Sequence, residues 1–142
     1  MGQRIRLEVV TPAGAIVDKD VDIVNAQGQG GDFGIMANHE PFLSTLRIGT
    51  MVYEVDGKRT PMMVSGGFCE VSGEKVTFLL ENAEFGSDID VKRAMDAKER
   101  AERRLAQAAQ KDESINRLRA ESALQRAVAR LKVADMSKVA GM

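Results

Sequence analysis

The local pattern of the chain changes once, near Ser87, and that single change limits the architectures open to it. Before Ser87 short runs alternate apolar and polar residues between Gly, Pro and Asp-Gly breaks; after it comes an almost unbroken Ala/Arg/Glu/Lys/Gln/Leu pattern with one polar interruption. Strands followed by helices, unmixed, point to a segregated α+β architecture rather than βαβ units. The expectation is an N-terminal antiparallel β-sandwich over residues 1–86 and a C-terminal antiparallel α-helical hairpin over residues 87–142. A chain of 142 residues is long enough for one compact domain with such an appendage.

In the front half, Ile5, Leu7 and Val9 alternate with Arg6 and Glu8, the two-residue period of a half-buried strand. Thr11-Pro12-Ala13-Gly14 ends that run. Further strands are expected over 21–24, 42–46, 50–55, 58–64, 68–71 and 75–80. Asp56-Gly57 reads as a two-residue hairpin turn, Ser65-Gly66-Gly67 as a break and Ser72-Gly73 as another turn. Many short strands with regular turns favour a sandwich or flattened barrel. The segment 27–39 is expected to be a loop, too Gly-rich for a strand and too long for a hairpin turn.

Charge is divided between the halves. Residues 1–86 hold seven Lys/Arg against twelve Asp/Glu, a formal −5; residues 87–142 hold thirteen against nine, a formal +4. A basic arm on an acidic body suits an acidic protein surface or a phosphate ligand. Nucleic acid is disfavoured, because acids interleave the basic residues and the arm has no aromatic to stack on a base. Cys69 is the sole cysteine, so no intrachain disulfide forms and a reducing compartment is the default. No stretch approaches the roughly 20 apolar residues needed to cross a bilayer, so no direct membrane insertion is expected.

No motif with recognisable enzyme chemistry stands up. Gly28, Gly30, Gly31 and Gly34 evoke a phosphate loop, but no Gly-Lys-Ser/Thr ending follows and no helix start is predicted there. Asp32-Phe33-Gly34 copies a kinase tripeptide without the accompanying His-Arg-Asp or paired Lys. Glycines used for positive φ and close backbone approach are the plainer reading. His39 is the only histidine and has no metal-ligand set around it; neither His39 nor Cys69 sits in a nucleophile motif. The expectation is therefore no catalytic residue, no metal and no required cofactor.

The arm begins with Ser87-x-x-Asp90, a capping-box pattern. Small or apolar residues then recur at Val91, Ala94, Ala101, Leu105 and Ala108, with Lys98 in the same stripe, and again at Ala120, Leu124, Ala127, Leu131 and Ala134. Gln110 to Ser114 interrupts them, and the connector is expected to run from Ala106 to Asn116. An alanine seam removes little apolar area from water compared with leucine, which contributes about 1.5–3 kcal/mol on burial. Each helix is nonetheless rich in strong helix formers. An arm that opens onto a partner and a permanently folded hairpin are both compatible with this pattern. Asp96–Arg100 and Glu99–Arg103 read as ordinary i,i+4 pairs. Arg93 with Arg100, and Arg126 with Arg130, share helix faces. The ordinary reading of such arginines is solvated surface charge; a folded hairpin also allows both pairs to converge on one phosphate group, with Glu84 and Asp90 near the helix start as acceptors for an adenine amine.

Gly28-Gln29-Gly30-Gly31-Asp32-Phe33-Gly34-Ile35, His39-Glu40-Pro41-Phe42, Ser65-Gly66-Gly67-Phe68 and the stretch from Val76-Thr77 to Ala83-Glu84 occur in one order. Together they resemble the epsilon subunits of bacterial F-type ATP synthases, nearly end to end. The resemblance implies a non-catalytic rotor subunit on the cytoplasmic face of the membrane. Its sandwich would contact the gamma subunit and the c-ring and help couple proton flow to ATP synthesis. Its hairpin would fold on the sandwich or extend toward the alpha and beta subunits, blocking ATP hydrolysis.

Ile89-Asp90-Val91-Lys92-Arg93-Ala94 matches the pattern carried by family members that bind ATP on the folded hairpin. The resemblance implies a regulatory ATP site at Glu84, Asp90, Arg93, Arg100, Arg126 and Arg130, and an interface role near the c-ring for Asp32 and His39. The alternative is a free-standing ATP-sensing module whose helical arm binds some other target.

Overall fold

The computed structural model describes residues 3–111 and 114–140. Its seven strands are β1 (Ile5–Thr11), β2 (Gly14–Val21), β3 (Ile23–Gly28), β4 (Gly31–Ile35), β5 (Phe42–Val55), β6 (Lys58–Ser72) and β7 (Lys75–Phe85). A 3-10 turn, Gly86–Asp88, leads to α1 (Val91–Lys111) and α2 (Ser114–Ala140).

The strands hydrogen-bond in the order β2-β1-β7-β6-β5-β3-β4. Neighbours are antiparallel except β1 and β7, which pair in parallel from Arg6–Lys75 to Val10–Leu79. The sheet curls so that residues from both of its edges share one core: Val17 and Val21 of β2 join Val24 of β3, Ile35 of β4 and Phe78 of β7. Ile5, Leu7 and Val9 are fully buried, as their alternation requires.

Turn chemistry explains most strand boundaries. Asp56 and Gly57 both have positive φ (52° and 81°), as a two-residue type I′ hairpin requires, and Val55 faces Lys58 across the turn. Three expectations change. The segment expected as a loop is largely a hairpin, β3 and β4, turned at Gln29-Gly30 with Gly28 facing Gly31. Glycine makes this feasible: Gly31 has φ 134°, and a Cβ on Gly28 would lie 2.7 Å from Ser44 Oγ. The strand expected over 21–24 is broken at Asp22: Val21 ends β2, whose Asp18-Lys19-Asp20 run masks the buried Val17 and Val21, and Ile23 starts β3. Ser65-Gly66-Gly67 does not end a strand; β6 runs through it, with Gly66 at φ 64° and pairing to β5 absent between Thr45–Phe68 and Gly49–Val64.

The hairpin packs on an alanine seam. Ala94, Ala101 and Ala108 of α1 and Ala120, Ala127 and Ala134 of α2 are all buried, in two series of heptad spacing. The helices are antiparallel: one cleft is shared by Arg104 and Lys111 with Asn116 and Arg119, and another by Val91 and Lys98 with Ala134 and Lys138. The connector is shorter than expected. Residues 106–111 continue α1 and residues 114–116 begin α2; Asp112 and Glu113 lie outside the described residues. Good helix formers on both sides carry each helix into the interruption.

A second face of α2 covers the sheet. Met63 of β6 is fully buried against Ala129 and Val133, flanked by Ile48 and Ile89. Gly86 closes the contact: a Cβ there would stand 2.6 Å from the Val133 carbonyl oxygen and 2.7 Å from Ser137 Cβ.

Candidate functional site

Of the residues singled out for the arm, Glu84 bonds directly to Arg130 and Asp90 to Arg93, while Arg100 lies on α1 and Arg126 on α2. Glu84 is the last but one residue of β7. Asp90 ends the connection as the N-cap of α1: its Oδ1 accepts the Arg93 N–H at 3.1 Å, and its carbonyl accepts the Ala94 N–H at 3.0 Å. The capping box expected from Ser87 is therefore not formed. Ser87 belongs to the 3-10 turn, so the helix starts one turn later, with Asp90 in the capping role.

Helix geometry then groups the arginines. Arg93 and Arg100 each precede a seam alanine on α1 (Ala94, Ala101), and Arg126 precedes Ala127 on α2. At 3.6 residues per turn, a position just before the seam on each of two antiparallel helices lies on the same side of the pair. Arg130, four residues beyond Arg126, sits on that side as well. Arg93 and Arg100 are exposed and Arg126 is half-buried; none of the three has a carboxylate within ion-pair distance among the described residues. Such clustered, unpaired guanidinium groups favour an anion.

Arg130 is already engaged. Its Nε donates to Glu84 Oε1 (3.0 Å) and Oε2 (3.1 Å), and its Nη2 donates to Oε2 at 2.8 Å. Asn82 Nδ2 donates to the same Oε2 at 2.9 Å. The Arg130 hydrogen bonds hold the Glu84 carboxyl below its usual range, against partial burial and with help from Asn82. Two residues assigned to one ligand site thus bond to each other, because α2 lies across the end of β7.

Beside this cluster, α2 and strands β5 and β6 enclose a cleft of ≈ 790 Å³. Gln27, Gln29, Thr50 and Ser65 contribute polar groups to it, Arg47, Arg126 and Lys132 contribute cations, and Glu81 contributes a carboxylate. Sequence reasoning passed over Asn82, Gly86, Met63 and Lys132. A signal for Met63 was present: Pro61-Met62-Met63-Val64 is apolar without alternation, the pattern of a strand covered on both faces.

Asp32 is exposed and shares a cleft with Lys132 and Met136 of α2, and His39 is half-buried. Arg47 Nη2 donates to Asp32 Oδ1 at 2.7 Å. His39 Nδ1 donates to the Glu40 carbonyl at 2.8 Å, and its ring stands edge-on to Phe42 at 5.7 Å. Cys69 is buried in the sandwich core, where burial pushes its thiol up to about 12, far from a nucleophile's range. Among the described residues, no three or more His, Cys, Asp or Glu side chains are grouped to hold a metal ion, and no helix is long and apolar enough to cross a membrane. The i,i+4 pairs expected at Asp96–Arg100 and Glu99–Arg103 are not closed; the pair that approaches is Arg117–Glu121, at 3.9 Å. Exposed pairs of this kind gain too little to hold two long side chains in register.

Comparison with known proteins covers both units. A family model described as "ATP synthase, Delta/Epsilon chain, beta-sandwich domain" matches residues 4–86, and one described as "ATP synthase, Delta/Epsilon chain, long alpha-helix domain" matches residues 87–135. The chain is 49% identical over 133 residues to the ATP synthase epsilon chain of Nitratidesulfovibrio vulgaris (strain DP4), covering 94% of this chain and 97% of that one. It is 47% identical over 135 residues to the ATP synthase epsilon chain of Syntrophobacter fumaroxidans, covering 95% and 98%. Among solved structures, a chain of the Euglena gracilis mitochondrial ATP synthase (OSCP/F1/c-ring) superposes with a TM-score of 0.80 at 24% identity, covering 94% of this chain and 82% of that one.

Proposed function

The chain belongs to the delta/epsilon-chain family of ATP synthases, and from that premise we propose that it is the epsilon subunit of a proton-translocating F-type enzyme, acting without catalytic residues of its own. The observation that carries this reading is the near end-to-end identity with epsilon chains through both the sandwich and the helices. The sandwich contacts gamma and the c-ring on the cytoplasmic side of the membrane, and the arm faces the alpha and beta subunits. Solved structural neighbours belong to ATP synthase assemblies that include the c-ring and central stalk, which supports these partners. In this role the subunit helps couple proton flow to ATP synthesis, and an undocked arm inhibits ATP hydrolysis.

ATP serves as a regulatory ligand rather than a substrate, with Glu84, Asp90, Arg93, Arg100, Arg126 and Arg130 as its site. Supporting this, unpaired arginines flank one side of the hairpin seam beside the N-cap Asp90. A ligand shifts the arm only through its differential affinity for the two states, so ATP bound there favours the docked arm. Two measurements test the reading. Recovery of the chain with alpha, beta and gamma subunits from detergent-solubilised membranes is expected, and recovery as a free monomer alone would refute the assignment. Calorimetric titration of the full chain with ATP should weaken at least tenfold in Arg93→Ala or Arg126→Ala; unchanged affinity removes the site.

A further inference from the structure

We propose that Glu84 and Arg130 form a clamp that holds the arm on the sandwich in the absence of any ligand. The inference concerns the nucleotide-free chain and stands or falls separately from the ATP reading.

The clamp spans the two units. Glu84 belongs to β7 and Arg130 to the middle of α2, 46 residues apart. Among the described residues, this is the one ion pair that joins sheet to hairpin. Its geometry is that of a fork: two guanidinium nitrogens meet both carboxylate oxygens, and Asn82 fixes the carboxylate from the other side. Both side chains are partly withdrawn from water, at 26% and 29% exposure, which strengthens the pair beyond a solvated surface contact.

The buried apolar cluster between α2 and the sheet is small. It consists of Met63, Ala129 and Val133, with Ile48 and Ile89 at its margin. One alanine and one valine against one methionine bury little apolar area, so the ion pair adds materially to what keeps α2 in place. Arg130 also differs from Arg93, Arg100 and Arg126, which stand free of carboxylates among the described residues. An anion approaching the cluster therefore meets three available guanidinium groups and one already taken.

The test is amide hydrogen exchange on the full chain without nucleotide, comparing α2 with the core strand β1. Glu84→Gln and Arg130→Met should each speed exchange in α2 about tenfold, since hydrogen bonds to charged groups contribute at that level. Exchange in β1 should not change. The double variant Glu84→Arg/Arg130→Glu should recover at least half of the lost protection, and added salt should loosen α2 in the unmodified chain but not in the single variants. Unchanged α2 exchange in the single variants, equal loosening of β1, or absence of recovery in the double variant overturns the clamp.

Discussion

Gly86 offers a perturbation that separates docking from folding. Its φ lies outside the left-handed region, so Gly86→Ala meets no backbone obstacle of its own. The obstacle is α2. An added Cβ would stand 2.6 Å from the Val133 carbonyl oxygen, 2.7 Å from Ser137 Cβ and 3.0 Å from Val133 Cγ1. Non-bonded heavy atoms settle at about 3.5–4.0 Å, so the helix must retreat by about 1 Å. That retreat opens the Met63–Val133 contact and lengthens the Glu84–Arg130 bonds together. Overpacking of this kind costs about 1–3 kcal/mol. Charged against docking alone, it lowers the docked-to-undocked ratio by about 5- to 150-fold. Amide exchange read by mass spectrometry should show α2 exchanging faster by that factor while β1 and β7 hold their protection. The reasoning is refuted if α2 in Gly86→Ala exchanges within twofold of the unmodified chain, or if the sandwich strands loosen equally.

Acid should release the arm before it unfolds the sandwich. Glu84 titrates below its ordinary value when docked, so its contribution is present above about pH 4–5 and is lost as pH falls through the lowered value; α2 exchange corrected for intrinsic rate should rise there. At pH 8 Cys69 should resist a thiol-specific disulfide reagent in native buffer and react fully in denaturant, because it is buried with its thiol pushed up to about 12. Asp90→Ala removes the side-chain cap of α1 and should destabilise that helix by about 0.5–2 kcal/mol in a denaturant titration followed by far-ultraviolet circular dichroism, whereas Asp90→Asn should retain most of the cap.

The β elements became legible wherever one face alone is buried. Ile5, Leu7 and Val9 show it, and so does the Asp56-Gly57 turn, whose two positive φ values are a demand made by adjacent residues. Reading failed where the local signal pointed the wrong way. The glycines of 28–34 look like loop residues but serve a tight hairpin, and the charged Asp18-Lys19-Asp20 run hides a strand at the edge of the sheet. On the arm, the heptad alanines announced the seam, while the polar residues near 110 overstated the connector.

The chain's own order of residues determined a sandwich followed by two helices, the seam that joins those helices, and the cluster of arginines beside it, because periodicity and capping act between residues a few positions apart. Tertiary structure alone decided that α2 lies on β5 and β6, that Gly86 is the notch it fits, and that Arg130 spends its charge on Glu84. Those pairings cross 46 or more positions. They depend on how two separately folded surfaces meet, where a few kcal/mol spread over one methionine, one glycine and one ion pair leave no periodic trace in the sequence.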